Sequence, residues 1–242
     1  MDKAIAAADC RITALLFTTP NNPLGQVYTR DAVLEIVEWA DRRHIQLIVD
    51  EIYALSVFGE REFTSVASLH PELGNDVHVV WAFSKDFGAS GLRFGVLISE
   101  NQAVLEAVGS LTYWSACSSH TQYLLSELIR DEGIVDEYIA AMQTKLRQAY
   151  RNVTGALDNA SIDHIPAEAA FFLICDLRYR LETPTWEAEH RLWRKILEQA
   201  NVNLTPGEVC RINEPGFFRL CYAAESSDVV QKAIERLGRV LV

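Results

Sequence analysis

The feature that most limits how this chain can fold is an alternation: short apolar runs separated by stretches of helical periodicity. Residues 12–17 (Ile-Thr-Ala-Leu-Leu-Phe) and 45–49 (Ile-Gln-Leu-Ile-Val) have strand length, and between them residues 29–42 place Val33, Ile36, Val37 and Ala40 at i, i+3, i+4 and i+7. That spacing lines one face of a helix with apolar side chains, which must be buried against a sheet. Thr29 stands where an N-cap belongs. Further strands are expected at 77–83 and 94–98, and helices at 102–111 and 121–130, the second entered through Ser118-Ser119-His120. This half reads as an α/β arrangement, a mainly parallel sheet covered on both faces. A helical stretch at 134–157 follows, longer than an ordinary globular helix and of a length to connect two domains. Strands at 170–175 and 217–222 with helices at 185–200 and 228–241 then make an α+β pattern. The domain division expected is a large domain over 1–150 and a small one over 151–242.

Composition removes several function classes. With 242 residues, 49% hydrophobic and 23% charged, the chain can bury a sizeable core. A formal charge of −11 argues against a nucleic-acid partner, which requires a concentrated basic face. No run has the length of a membrane span, and the start Met1-Asp2-Lys3-Ala4 lacks the basic, then apolar, pattern of a secretory signal, so a cytoplasmic location is expected. Cys10, Cys117, Cys175, Cys210 and Cys221 form no Cys-x-x-Cys pair and read as reduced, buried, small apolar residues. His44, His70, His78, His120, His164 and His190 show no metal-ligand spacing, so no metal site is expected. Trp186, Leu192, Trp193, Ile196 and Leu197 fall at helical spacings and read as core.

The chemistry gathers at strand ends. Val77-His78-Val79-Val80-Trp81-Ala82-Phe83 breaks off into Ser84-Lys85-Asp86-Phe87-Gly88. A lysine at the mouth of a buried strand is short of water, which lowers its pKa and frees its amine to attack a carbonyl; the same segment also reads as a surface lysine closing a strand. The run 45–49 leads into Asp50-Glu51-Ile52-Tyr53, where a carboxylate is costly unless a cation or donor meets it. Asn21-Asn22-Pro23-Leu24-Gly25, after the first apolar run, has the composition of an ordinary turn. Arg219, between Phe218 and Leu220, reads either as a snorkelling side chain or as a carboxylate ligand. In open α/β sheets ligands lie beyond the carboxyl ends of the strands, so these groups could share one ligand.

In order and spacing, Asn22-Pro23-Leu24-Gly25, Asp50-Glu51-Ile52-Tyr53, Ser84-Lys85 and Gly91-Leu92-Arg93-Phe94-Gly95 resemble the fold-type-I enzymes that use pyridoxal 5'-phosphate (PLP), specifically the class I/II aminotransferases. Thr121-Gln122-Tyr123-Leu124-Leu125, Trp186-Glu187-Ala188-Glu189 and Glu214-Pro215-Gly216-Phe217-Phe218-Arg219 bring the chain closest to the 1-aminocyclopropane-1-carboxylate (ACC) synthase group. The resemblance implies that Lys85 joins PLP as a Schiff base and then shuttles the substrate's proton, and that Asp50 pairs with the protonated pyridine nitrogen. It further implies that Asn22 and Tyr53 hydrogen-bond the phenolic oxygen, that Ser84 and Arg93 hold the phosphate, and that Arg219 clamps the substrate α-carboxylate with a fork lysine could not reproduce. The substrates implied are an α-amino acid and, for transamination, a 2-oxo acid. A homodimer is implied for the complete enzyme, with the loop at Tyr113-Trp114 near the partner's site.

Two departures stand out. Ala82 replaces the serine or glycine usual three residues before the lysine, removing one phosphate ligand, and Phe94 is bulkier than the residue usual after the arginine. The family's phosphate loop, ring-stacking aromatic and borrowed tyrosine precede the Asn22 motif, where this chain has about twenty residues, so it resembles the C-terminal part of such an enzyme. Weak PLP binding is expected. The alternative is a non-catalytic remnant or subunit that keeps the fold.

Overall fold

In the computed structural model, which describes residues 1–69 and 72–241, the chain divides into two units, each with its own sheet and core. One comprises Met1–Pro20, Val27–Val57 and Arg61–Ile139; the other comprises Asn21–Gln26, Phe58–Glu60 and Ala140–Val242. His70, read above as non-ligating, lies outside the described residues.

The first unit opens with a short helix, Asp2–Ala6 (α1), followed by a strand at Ala14–Thr18 (β1), a helix at Arg30–Asp41 (α2) and a strand at Gln46–Asp50 (β2). Strand Val77–Ala82 (β3), helix Phe83–Asp86 (α3) and strand Gly95–Ser99 (β4) come next, then helices Gln102–Ser115 (α4) and Ser119–Arg130 (α5). The sheet order is β1-β2-β3-β4, with the first three strands parallel and β4 antiparallel at the edge. Alternation along the strands explains the core. Leu15 and Phe17, Leu47 and Val49, Val77 and Val79 share the face that packs on Val33, Ile36, Val37 and Ala40 of α2. Thr29 caps α2, its Oγ1 accepting from the Ala32 N–H at 3.2 Å, and Ser118 caps α5 through the Thr121 N–H at 3.1 Å; each cap contributes about 1 kcal/mol. On the opposite face His78 sits buried between Ser99 Oγ and Gln46 Oε1, both at 2.8 Å.

Coverage of this sheet is less complete than the apolar runs imply. Leu16, on the face away from α2, is 66% exposed, and Val96 and Ile98 on the edge strand are also exposed. α4 contributes no buried residue to the unit.

A 28-residue helix, Glu132–Asn159 (α6), belongs to the second unit from Ala140 onward. That unit continues with strands Asp163–Ile165 (β5) and Phe172–Asp176 (β6), helix Trp186–Ala200 (α7), strands Thr205–Pro206 (β7) and Phe217–Cys221 (β8), and helix Ser227–Leu241 (α8). Its sheet, β5-β6-β8-β7, is antiparallel throughout. Leu146, Val153 and Leu157 of α6, Leu192 and Ile196 of α7, and Ile234, Leu237 and Leu241 of α8 close over it. The expectation of five buried cysteines fails: Cys175, in the middle of β6, is buried, whereas Cys10 and Cys221 are exposed and Cys117 and Cys210 half-buried. Cys221 ends its strand on the outward side of the pleat, and Cys10 precedes β1.

Candidate functional site

Asp50 is the last residue of β2, in register with Thr18 of β1 and Val80 of β3, so its carboxylate emerges at the carboxyl end of the parallel ladder. Its Oδ1 accepts from the Ile52 N–H at 3.1 Å. Burial pushes the Asp50 carboxyl above the usual range, and the Ile52 bond offsets only part of that. The chain then tightens into a turn closed by Ala54 N–H to Glu51 O at 2.9 Å and Ser56 N–H to Tyr53 O at 3.1 Å, which buries Tyr53. Glu51 is buried beside it, its Oε1 accepting from the Val66 N–H at 2.8 Å, and its pKa is likewise raised by burial.

β3 runs directly into the single turn of α3. Ala82 takes the N-cap position with no side-chain hydrogen bond, so the missing hydroxyl noted in the sequence leaves this helix uncapped. Ser84 and Lys85 on α3 are half-buried. The other four lysines, Lys3, Lys145, Lys195 and Lys232, are all exposed, so Lys85 alone occupies a partly desolvated position. Arg93 follows a 3-10 turn at Ser90–Leu92 in left-handed conformation, φ 52°, and its exposed guanidinium donates to Ser90 O at 3.0 Å. The bulk of Phe94 has a structural use: its ring packs edge-on against Phe83, 5.6 Å between centroids, inside a group that includes Trp81 and Phe87.

Asn22 and Arg219 meet in the second unit. Asn21 Oδ1 accepts from the Leu24 N–H at 3.1 Å, and Gly25 at φ +64° turns the chain so that its carbonyl accepts from the N–H groups of Glu168 and Ala169 at 2.7 and 2.8 Å. This seats the 21–26 loop beside β6. Arg219 sits mid-strand on β8, paired with Ile174 and Thr205. Its Nη1 donates to Asn22 Oδ1 at 2.9 Å and its guanidinium lies over the Phe172 ring at 5.1 Å. Two residues 197 apart in sequence are thus hydrogen-bonded. Asp50, Tyr53, Ser84, Lys85 and Arg93 all belong to the first unit.

Besides Glu51, two buried carboxylates carry no role in the sequence reading. Glu189 of α7 is fully buried, Oε1 accepting from the Glu208 N–H at 3.1 Å and Oε2 from the Gly216 N–H at 2.6 Å, which ties α7 to the loop leading into β8. Asp86, next to Lys85, is buried among aromatic residues. A charge inside the run from Trp81 to Phe87 was the signal that could have marked it.

The family model "Aminotransferase class I and II" matches residues 1–237. The chain is 36% identical over 230 residues to 1-aminocyclopropane-1-carboxylate synthase 6 of Arabidopsis thaliana, covering 93% of this chain and 46% of that protein. It is 35% identical over 233 residues to the 1-aminocyclopropane-1-carboxylate synthase of Glycine max, covering 94% of this chain and 48% of that protein. The chain therefore spans about half the length of these curated relatives. Among solved structures, the aromatic aminotransferase from Pyrococcus horikoshii matches with a TM-score of 0.87 at 22% identity, over 99% of this chain and 62% of that one. Aspartate aminotransferase from Thermus thermophilus with maleate matches with a TM-score of 0.84 at 24% identity, over 99% and 59%. At those identities the structural likeness is one of fold.

Proposed function

Because the chain belongs to the class I and II aminotransferases, a family of PLP-dependent enzymes, we propose that it holds PLP through Lys85 and acts on an α-amino acid. The observation that carries the reading is Lys85 itself: the half-buried lysine on α3, with Asp50 and Tyr53 at the end of the adjoining parallel strand. The donor set suits the cofactor. A carboxylate whose pKa burial raises is in want of a cationic partner, and the pyridinium is one.

When bound, PLP supplies an electron sink for the pair released at the substrate's α-carbon. The protein's part is positioning and proton transfer. Lys85 Nζ would hold the cofactor and move the α-proton. Asp50 would hold the proton on the pyridine nitrogen. The Tyr53 hydroxyl would donate to the phenolic oxygen, and Asn22, whose Oδ1 is taken by Arg219, would offer its amide N–H to that oxygen. Ser84 and Arg93 take the phosphate. Arg219, flattened over Phe172 and oriented by Asn22, clamps the substrate α-carboxylate through paired N–H donors.

Two outcomes fit this set: amino transfer to a 2-oxo acid, and the elimination with ring closure that the resemblance to 1-aminocyclopropane-1-carboxylate synthases implies. Transamination is the broader class and the one we favour. A non-catalytic remnant or subunit is the competing reading, supported by Ala82, which offers no hydroxyl to a phosphate.

Borohydride reduction in the presence of PLP, followed by peptide mapping, tests the central assignment. The label is expected on Lys85; a label on Lys3, Lys145, Lys195 or Lys232 instead would sink it.

A further inference from the structure

Asp86 is 1% exposed, yet both its carboxylate oxygens are engaged. Oδ1 accepts from the Ser56 hydroxyl at 2.5 Å, and Oδ2 accepts from the Leu55 N–H at 3.1 Å and from Trp81 Nε1 at 2.9 Å. These donors come from two different segments. Trp81 lies near the end of β3, whereas Leu55 and Ser56 directly follow Tyr53 in the turn after β2. The acceptor sits on α3, one residue beyond Lys85.

α3 needs such an anchor. A single turn of helix closes too few hydrogen bonds to offset the cost of nucleation, so its orientation must come from tertiary contacts. No side chain caps its N-terminus. Around it Phe83 and Phe87 supply apolar packing, with Phe87 stacked on Tyr138 at 5.0 Å, but aromatic packing restrains direction less sharply than charge-assisted hydrogen bonds. Burying a carboxylate here is expensive, and burial raises the Asp86 pKa despite its donors, so the group stands where an apolar side chain would cost less.

We propose that Asp86 is a positioning residue that locks the turn bearing Tyr53 to the helix bearing Lys85, keeping tyrosine hydroxyl and lysine amine in mutual register. This rests on the reading of Lys85 and Tyr53 as cofactor-holding residues. The link itself, however, is measurable without cofactor.

The experiment compares the 242-residue chain with Asp86→Ala and Asp86→Asn. An asparagine can keep the connections, its oxygen accepting from Leu55 and Trp81 and its amide donating to Ser56 Oγ, while the charge is lost. Hydrogen exchange by mass spectrometry reads residues 54–56 and 87–89, whose amides close the turn and the helix. Asp86→Ala is expected to speed exchange in both segments together by about tenfold or more, leaving β1 and the second unit unchanged, with Asp86→Asn close to wild type. With PLP below saturation, borohydride labelling of Lys85 should fall by a similar factor in Asp86→Ala and recover in Asp86→Asn. Loosening of only one segment, or wild-type exchange and labelling in Asp86→Ala, overturns the proposal. If that variant does not fold, Ser56→Ala carries the test: a smaller but still paired rise supports the lock, and unchanged exchange overturns it. A wild-type chain that takes no label at Lys85 refutes the cofactor reading, and the cofactor-free exchange then decides on Asp86 alone.

Discussion

In the proposed role, Asp50 would serve chemistry at the expense of stability. Its pKa is raised in the folded chain, with burial the largest cause, so the folded state holds the proton more tightly than the unfolded chain does. For a carboxyl shifted in that direction, stability falls as pH rises through the window that starts near the ordinary value of 3.8 and ends at the raised one. Asp50→Asn keeps an oxygen for the Ile52 N–H and removes the charge. It is expected to raise the thermal midpoint of the cofactor-free chain at pH 7, with the gain vanishing as the pH falls below about 4. In an assembly that turns over, the same variant should slow α-proton removal by about 10²–10³-fold, the usual loss when a developing charge is left without its partner. Melting curves across pH and deuterium exchange at the substrate α-carbon check the two halves. A lower midpoint at pH 7 would contradict the burial account. At this scale the sequence marked Asp50, Lys85 and Arg219 as polar groups interrupting apolar runs. Glu189 escaped because its donors are backbone N–H groups from a distant segment, which no local pattern records, and Asp86 because, Trp81 apart, its donors lie about thirty residues away.

Elements were legible wherever one face is apolar. The stripe on α2 and the runs of β1, β2, β3 and β8 appear in the structure within about two residues of the periodicity that announced them, because burial enforces the period. The loop at Asn21–Gln26 is different. Its sequence reads as a common turn, yet Gly25 is where the backbone of this loop meets the segment before β6. A Cβ at Gly25 would come 2.8 Å from Ala169 O and 2.9 Å from the Ala167 Cβ, at a φ of +64°. Gly25→Ala should therefore destabilise the second unit by about 2–4 kcal/mol, combining left-handed strain with a backbone clash. Because Asn22 rides on the same loop, the bond to Arg219 should loosen with it. Denaturant melts measure the first effect. A loss below about 0.5 kcal/mol would show that the loop can move aside.

At the scale of the molecule, apolar surface and charge act against each other. Leu16, Leu111, Tyr113, Trp114, Tyr123 and Leu124, all in the first unit, are more than half exposed, while the chain carries a formal charge of −11. Like charge keeps copies apart at low salt, where the screening length is roughly 20 Å, and little of that repulsion survives at 500 mM, where it is roughly 4 Å. Sedimentation velocity is expected to show the mean mass rising with salt and with protein concentration, and a mass independent of both would count against an adhesive apolar face. No helix among the described residues is long and apolar enough to cross a membrane. Local periodicity and residue type were enough to predict the α/β and α+β halves and the order of their main strands and helices, since each depends on neighbours within one helical turn or one strand. Tertiary structure alone decided which polar groups are satisfied and by whom: Arg219 by Asn22, Asp86 by Ser56, Leu55 and Trp81, Glu189 by Glu208 and Gly216. All but the Trp81–Asp86 bond join residues well separated in the chain, and a hydrogen bond exists only when both ends are brought within about 3 Å at a workable angle, a condition that folding alone meets.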